Sequence, residues 1–266
     1  MPEGIWGWLE NLPAHRAGAP IRAVHVDQGE TFLDAKNERL ILLPALRNRG
    51  RTEIKVHYGY HDDASKVLDI VRAAVLVNSV AELDATLGIL RQSWAEAGYE
   101  IVGDMDRIKD PAPSGYRDRL VYLRLPNGFI CTWQFQLAQI LAAKAHAHRL
   151  YVEQRRIEVR ASPRQSYSVL VCDLFNYQVE KEEFVVERFP SLDQAREFAR
   201  RWVRDSVEDW RGKYRWPEEH RQLWSLFGED AIVIEDDYAG SDELDLFLAE
   251  PASGTETDWQ STLPPA

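Results

Sequence analysis

The chain has 266 residues, enough for one large domain or two smaller ones, and 45% of them are apolar. Its nine tryptophans indicate a packed globular protein and exclude a largely disordered one. The apolar stretches are short and interrupted by charges, so we predict no membrane span, and the N-terminus lacks the pattern of a secretory signal peptide. We therefore expect a cytoplasmic protein whose two cysteines, Cys131 and Cys172, are buried thiols.

The net charge of -11 is distributed unevenly along the chain. Residues 1–164 contain 22 basic and 20 acidic side chains, whereas residues 165–266 contain 10 and 23. This asymmetry predicts two parts with different partners. The first part is compatible with an anionic ligand. The second should repel nucleic acid and anionic membranes, and two roles are open to it: to cover the basic pocket of the first part or to bind a partner protein.

In chain order, the first predicted element is a short helix within residues 4–12, which carries two tryptophans and a leucine. Residues 31–48 are predicted to be helical, because their leucines recur on or near one face. Residues 54–58 alternate between apolar and polar side chains, which is typical of a strand.

A β-branched run over residues 68–78 is typical of a buried strand. The helix predicted next, over residues 79–98, has the strongest pattern, because its apolar residues are three and four positions apart. Ser79 is expected to cap this helix and Glu82 to complete a capping box.

The rest of the first part is predicted to be mostly strands. Residues 99–102 form one strand, residues 120–125 and 129–137 form a hairpin around an Asn-Gly turn, and residues 140–160 form a helix. Together these elements predict an α+β fold, with a mixed β-sheet flanked by helices.

A boundary is predicted at Ser162–Gln165, which divides the chain into a domain over residues 1–162, with its core at about 40–160, and a smaller acidic α+β domain over residues 166–248. The second domain is expected to contain strands at 167–172, 184–188 and 232–234, and helices from Ser191 and at 223–227. Residues 250–266 are rich in Pro, Ser, Thr and Gly, so a disordered tail is expected there.

Several polar residues of the first domain could form a site for phosphates. Arg51, Lys55 and Lys66 precede Asp69, which stands at the head of an apolar strand with Arg72 three residues later. Basic residues in such a run either face water or bind phosphates. An aspartate at the start of a buried strand is either a strand-end residue or a group that is paired or bound to metal, since an unpaired buried carboxylate is costly.

A second set of polar residues follows further along the chain. Tyr116 stands behind Gly115 in a turn, so its ring either covers the core or is exposed for stacking on a base. Gln134 alternates with aromatic residues on a strand, and Lys144 and His148 are one helical turn apart. Each of these is either a surface residue or part of one pocket.

These motifs, in this order, resemble the RelA/SpoT alarmone synthetases, most closely the divergent, short, toxin-like or prophage-associated branch. The resemblance covers roughly residues 40–160, and the matching positions are Arg51, Lys55, Ser65-Lys66, Asp69, Pro113-Ser-Gly-Tyr-Arg117, Gln134 and His148. It implies a RelA/SpoT synthetase-like fold and an ATP-dependent transfer of pyrophosphate to the 3′ hydroxyl of a guanine or related nucleotide.

The resemblance also implies roles for single residues. Asp69 would hold Mg²⁺ and act in catalysis with Gln134, and Tyr116 would stack on the acceptor base. The remaining nucleotide contacts would come from the basic residues Arg51, Lys55, Lys66, Arg72, Arg117, Lys144 and His148.

One position departs from the family pattern in a way that bears on catalysis. Where the family has a metal-binding glutamate, two residues before Gln134, this chain has Thr132. Three alternatives therefore stand beside the transferase: an inactive nucleotide-binding sensor or scaffold, a toxin-like relative that modifies an RNA 3′ end with tRNA as its partner, and an interaction protein in which the pocket is only structural.

Overall fold

The computed structural model describes residues 21–32, 38–160 and 166–265. Its contacts divide the chain into two compact units. Unit 1 consists of residues 1–47 and 67–142, and unit 2 consists of residues 48–66 and 143–266. The predicted helix at residues 4–12 and the predicted boundary at Ser162–Gln165 lie outside the described residues.

Unit 1 contains a six-stranded mixed sheet with the strand order β1-β2-β3-β6-β5-β4. The pairs β1/β2 and β3/β6 are parallel, and the other three pairs are antiparallel. The strands are β1 (Ile21–His25), β2 (Arg39–Leu43), β3 (Arg72–Val77), β4 (Glu100–Asp106), β5 (Arg119–Arg124) and β6 (Ile130–Leu137).

Helix α2 (Val80–Glu96) packs on one face of this sheet. The Ser79 side chain accepts a hydrogen bond from the Glu82 backbone N–H, which confirms the predicted N-cap. Leu87 and Trp94 belong to a core cluster together with alternate residues of β2, β3, β5 and β6. The centres of the Trp94 and Trp133 rings are 5.2 Å apart. One face of the sheet is therefore a continuous apolar core.

The prediction of a helix over residues 31–48 is wrong for its second half, because residues 39–43 form β2. All five β2 residues are buried, and β2 pairs with β1 on one side and β3 on the other. Because β2 is buried on both faces, its sequence is mostly apolar and lacks the alternation that distinguishes a strand from a buried helix.

Unit 2 begins with a helical segment, α1 (Arg49–Ile54), which continues as a π-helical turn over Lys55–Gly59. The strand predicted at residues 54–58 is therefore wrong. The most buried residues of this segment are Arg51, Lys55 and Tyr60. Their spacing follows a helix with one wide turn and not the period of two that a strand requires.

The remainder of unit 2 contains a second, smaller sheet and its helices. Helix α3 (Ala138–Arg160) passes from unit 1 into unit 2 at residue 143. A three-stranded antiparallel sheet follows, in the order β8-β7-β9. Its elements are β7 (Tyr167–Asp173), β8 (Phe184–Phe189), α4 (Leu192–Glu208), α5 (Pro217–Phe227), β9 (Glu229–Val233) and α6 (Leu244–Ala249).

Aromatic packing forms the core of unit 2 around α4. Trp202 is fully buried, and the centre of its ring lies 5.4 Å from that of Phe198 and 4.8 Å from that of Trp259. Trp259 belongs to residues 250–265, for which the sequence predicts a disordered tail. In the structure this segment contains a 3₁₀ turn at Gln260–Thr262, and Trp259 is buried.

The expected fold class is confirmed: an α+β chain with a mixed sheet flanked by helices and a second, smaller sheet. Both cysteines are free and buried, as expected, and burial raises the pKa of the Cys131 thiol to about 12. None of the helices in the described ranges has the length and apolar content that crossing a bilayer requires.

Candidate functional site

The second face of the unit 1 sheet is polar. In the β3/β6 register, Arg72 lies opposite Thr132, and Gln134 and Gln136 follow at alternate positions of β6. These four residues are therefore on the same face, away from Trp133 and Phe135, whose side chains belong to the apolar core. All four are buried. Binding sites typically contain a few convergent polar groups, so this face of the sheet is a candidate binding site.

Asp118 is the centre of a hydrogen-bond network on this face. Its fully buried carboxylate accepts hydrogen bonds from Arg107 through Nε (2.6 Å) and Nη2 (2.8 Å), and from Gln134 Nε2 (2.8 Å). The Tyr116 hydroxyl is a weaker donor, at 3.4 Å. The two bonds from one guanidinium give this pair a fixed geometry. The network therefore positions one predicted site residue, Gln134, and supports a second, Tyr116.

Tyr116 is half-buried, and contacts at its hydroxyl and at its ring hold it in place. Gly115 before it has φ of +86°, a conformation that glycine adopts without strain. The Tyr116 hydroxyl accepts a hydrogen bond from Gln136 Nε2, and the Arg107 guanidinium carbon lies 5.2 Å from the ring centre. Arg117, which follows, is exposed, and its guanidinium donates to the Ile108 carbonyl oxygen. The Tyr116 ring is thus held between a cation and an amide, with part of its surface accessible.

Asp69 and Thr132 occupy the positions where the resemblance implies metal ligands. Asp69 is buried, and its carboxylate accepts a hydrogen bond from the Arg47 guanidinium. The Thr132 hydroxyl is 2.7 Å from the Leu68 carbonyl oxygen, to which it donates. These positions therefore offer one carboxylate already bonded to a cation and one hydroxyl already used as a donor. Mg²⁺ is usually held by one or two carboxylates, with waters and substrate phosphates completing the octahedron, so these positions offer the smaller number of carboxylates. No group of three or more His, Cys, Asp or Glu side chains in the described parts of the chain is arranged to hold a metal ion.

The predicted phosphate-binding cations Arg51 and Lys55 belong to unit 2. Arg51 is buried, and its guanidinium contacts the carboxylates of Asp205, Asp209 and Glu229, the last at 3.1 Å. Burial acts to lower the pKa of Arg51, but these three carboxylates outweigh it and raise the pKa above its ordinary value. Arg51 is therefore a permanent cation within an excess of negative charge.

Lys55 has a similar environment. It is fully buried, and its Nζ lies 3.2 Å from Asp173 Oδ2 and 2.7 Å from Glu182 Oε2. The Tyr60 hydroxyl donates to the same Glu182 oxygen. In contrast Lys66, the third predicted cation of this segment, is exposed, and its Nζ is 3.8 Å from Asp63 Oδ2.

Lys144 and His148 lie on the part of α3 that belongs to unit 2. The Lys144 ammonium group donates to the Leu174 carbonyl oxygen and lies 4.7 Å from the centre of the Tyr177 ring. His148 Nε2 is 2.7 Å from Asp230 Oδ2, and Asp230 is fully buried. Both are therefore buried polar residues with partners from β9 and the segment after β7.

The predicted site residues thus fall into two groups. Unit 1 contains Asp69, Arg72, Tyr116, Arg117 and Gln134, and unit 2 contains Arg51, Lys55, Lys66, Lys144 and His148. Within unit 1, Tyr116 and Gln134 meet at Asp118. Sequence reasoning did not assign Asp118 or Arg107 to the site. The only signal for Asp118 is its place directly after Gly-Tyr-Arg, and Arg107 has no signal in the sequence at all.

Comparison with solved structures gave remote similarities. The aligned part of the type VI effector Tas1, solved in complex with its immunity protein, is 17% identical, covers 38% of this chain and 48% of that chain, and has a TM-score of 0.30. A GTP pyrophosphokinase family protein from Streptococcus pneumoniae is 15% identical, with coverages of 47% and 60% and a TM-score of 0.29. Small alarmone synthetase 1 from Bacillus subtilis, solved with its product pppGpp, is 14% identical, with coverages of 46% and 66% and a TM-score of 0.35.

The chain therefore spans about half to two thirds of the length of the solved structures described above. No protein-family model and no curated protein matches the sequence. At these identities and TM-scores no family is assigned, and the residues of the two units have to support any function.

Proposed function

We propose that this protein is a relative of the alarmone synthetases that binds a purine nucleotide at Tyr116 and does not transfer pyrophosphate. The observation that carries the proposal is the contrast within unit 1. The predicted base-binding residue is built into a hydrogen-bonded network, whereas the predicted metal-binding positions are engaged in bonds to the protein itself.

The base-binding half of the proposal rests on Tyr116 and Gln136. Tyr116 is half-buried, with its hydroxyl held by Gln136 and its ring 5.2 Å from the Arg107 guanidinium carbon, and stacking of a tyrosine ring on a base contributes about 1–3 kcal/mol. The Gln136 side-chain oxygen is buried and has no hydrogen-bond partner among the described residues. An unsatisfied acceptor of this kind suits a ligand with N–H or O–H groups, such as a guanine edge or a ribose hydroxyl.

From the charges at the predicted metal-binding and phosphate-binding positions, we infer that the protein does not transfer pyrophosphate. Phosphoryl transfer depends on cations and metal ions that neutralise the developing negative charge. Thr132 supplies a hydroxyl bonded to Leu68 where the family has a carboxylate, and the Asp69 carboxylate is bonded to Arg47. In unit 2, Arg51 and Lys55 are surrounded by carboxylates that would compete with the phosphates of ATP.

Binding is tested by calorimetry on the full chain with GTP, GDP, ATP and ADP, each with Mg²⁺ and with a chelator. We expect at least one nucleotide to bind, and Tyr116→Ala to weaken its affinity about tenfold or more. Tyr116→Phe keeps the ring but not the hydroxyl anchor, so its loss should be smaller. The control is Tyr167→Ala, at a partly exposed tyrosine of β7. If no nucleotide binds, or if both alanine variants lose affinity equally, the proposal is wrong.

Turnover is tested separately with labelled ATP, Mg²⁺ and each acceptor nucleotide, followed by chromatography. We expect no transferred pyrophosphate. The transferase itself is the second candidate, favoured by the retention of Asp69, three residues before β3. A product that disappears in Asp69→Asn would establish it and refute our proposal. The same assay with tRNA as the acceptor distinguishes the alternative in which the protein modifies an RNA 3′ end.

A further inference from the structure

Unit 2 contains a cavity that the proposed function does not use. Its volume is about 400 Å³, within the range of small-molecule sites, and it is lined by α3, α5, Leu174 and residues 241–245. All of the lining residues belong to unit 2.

Three cationic side chains line this cavity: Lys144, Arg149 and Arg221. Lys144 is 3% exposed, which is uncommon for lysine. The Arg149 side chain is exposed and makes no ion pair or hydrogen bond with any residue that the structure describes. Arg221 is 41% exposed and pairs with Asp245, itself 89% exposed, so this pair contributes little and Arg221 can turn to a ligand.

Three carboxylates also line the cavity, but each already has a donor. Glu153 is 2.6 Å from Arg156, and Asp242 accepts a hydrogen bond from the Ala239 backbone N–H at 2.8 Å. The third is Asp245, bonded to Arg221. Arg149 is therefore a cationic group on the lining that has no carboxylate partner among the described residues, and it is available to an anionic ligand.

His148 adds a hydrogen-bond acceptor to the lining. Asp230 accepts from His148 Nε2 and from the backbone and hydroxyl of Ser241, so the proton of a neutral His148 is held at Nε2. His148 Nδ1 is buried and has no hydrogen-bond partner among the described residues. A buried acceptor of this kind fits a ligand that carries a hydroxyl or N–H donor.

The remaining walls are apolar, with Trp224, Val152, Leu174 and Leu244 on the lining. Trp224 is 2% exposed, and its ring meets that of His148 edge to face at 6.0 Å between centres. We infer that this cavity is a second binding site, for a small organic anion that has an apolar body and a hydroxyl donor. Its anionic group would contact Arg149 and Lys144, its hydroxyl His148, and its body Trp224.

The site is tested by calorimetry of the full chain with three probes that share an aromatic ring. These are 3-phenyllactate (anion and hydroxyl), 3-phenylpropanoate (anion only) and benzyl alcohol (neutral). Phenyl phosphate and inorganic phosphate distinguish a phosphate from a carboxylate preference. We expect 3-phenyllactate or phenyl phosphate to bind more tightly than benzyl alcohol, and 3-phenyllactate more tightly than 3-phenylpropanoate.

The matched variants are Arg149→Met, which replaces an exposed side chain, and Arg124→Met, at an exposed arginine of β5 in unit 1. We expect Arg149→Met to weaken the anionic probes about tenfold and Arg124→Met to leave them unchanged. The inference fails if no anionic probe binds more tightly than benzyl alcohol, or if Arg149→Met and Arg124→Met bind the anionic probes with the same affinity. Tyr116→Ala should leave the probe affinities unchanged, so failure of the nucleotide site is distinguishable from failure of this one.

Discussion

Arg51 provides the sharpest test of how unit 2 is stabilised. Its buried guanidinium is the shared partner of Asp205, Asp209 and Glu229. When it is replaced by methionine, the volume is roughly kept but the three carboxylates lose their cation. Other side-chain donors near Asp205 and Asp209 include Trp259 Nε1, 3.2 Å from Asp205, and Asn48 Nδ2, 3.5 Å from Asp209. Removing one partner of a buried ion pair costs about 3–5 kcal/mol, so we expect Arg51→Met to lower the free energy of unfolding by that amount at pH 7.

The assay is urea unfolding, followed by tryptophan fluorescence and by far-UV circular dichroism. Arg49→Met is the control, two residues away on the same helix: its side chain is 92% exposed and pairs with Glu53, so we expect little change. The comparison separates the loss of a buried cation from the loss of any arginine of α1.

Two further measurements test the same reasoning: unfolding at a lower pH, and unfolding of a variant with a second substitution. Burial raises the pKa of Asp205, and Arg51 opposes this rise, so removing Arg51 raises that pKa further. Asp205 should therefore take up its proton at a higher pH in Arg51→Met than in the parent, so the defect should shrink from pH 7 to pH 5, and adding Asp209→Asn should recover part of it at pH 7. A loss equal to that of Arg49→Met, or one that is the same at both pH values, would refute the reasoning.

Three further outcomes are expected. Burial raises the pKa of Glu183 from 4.5 to about 8, so the folded state binds the extra proton and stability falls as pH rises between these values. Urea unfolding should show the stability of Glu183→Gln relative to the parent rising from pH 5 to pH 9, by at most about 5 kcal/mol, whereas loss of the 2.6 Å ion pair with Arg155 acts against the variant; parallel pH profiles would contradict this. In Gly240→Ala the new Cβ would lie 2.5 Å from the Ala199 carbonyl oxygen, so we expect a loss of about 1–3 kcal/mol, against none in Gly254→Ala, where nothing lies within 4 Å; equal midpoints in urea would be evidence against it. Ser79→Ala removes the cap of α2 and should cost about 1 kcal/mol in thermal or urea unfolding; a variant as stable as the parent would show that the cap is not needed.

The parts of the fold that the sequence predicts well are those with local causes. Helix α2 follows from a capping serine and leucines at helical spacing, and the β5–β6 hairpin follows from an Asn-Gly turn between alternating strands. The turn at Gly115 is of the same kind, because its positive φ is what a glycine there allows.

The error at α1 has a non-local cause. From the sequence, Arg51 and Lys55 are expected either to face water or to bind phosphates, since charged residues are usually solvated. In the structure they are the buried side of the helix, because carboxylates more than a hundred residues later surround them. No local pattern reports such partners, so neither the burial of these two residues nor the helix that results from it is predicted.

The candidate site shows the same limit. Tyr116 and Gln134 were selected by motif, but the residue that joins them, Asp118, gains its importance only from the pairing of β5 with β6. Its ion pair with Arg107 depends on the loop between β4 and β5, whose course no periodicity encodes.

The discontinuity of unit 2 has a consequence during synthesis. Arg51 is 154 residues from Asp205, and Lys55 is 118 residues from Asp173. At the usual pace of translation, about 5–20 residues per second, roughly 8–30 s separate the appearance of Arg51 from that of its first carboxylate partner. For that interval the nascent polypeptide carries Arg51 without its carboxylate partners, and unit 2 cannot close until its own last third has been made. Its folding should therefore be slow for its size, as for any topology dominated by distant pairings.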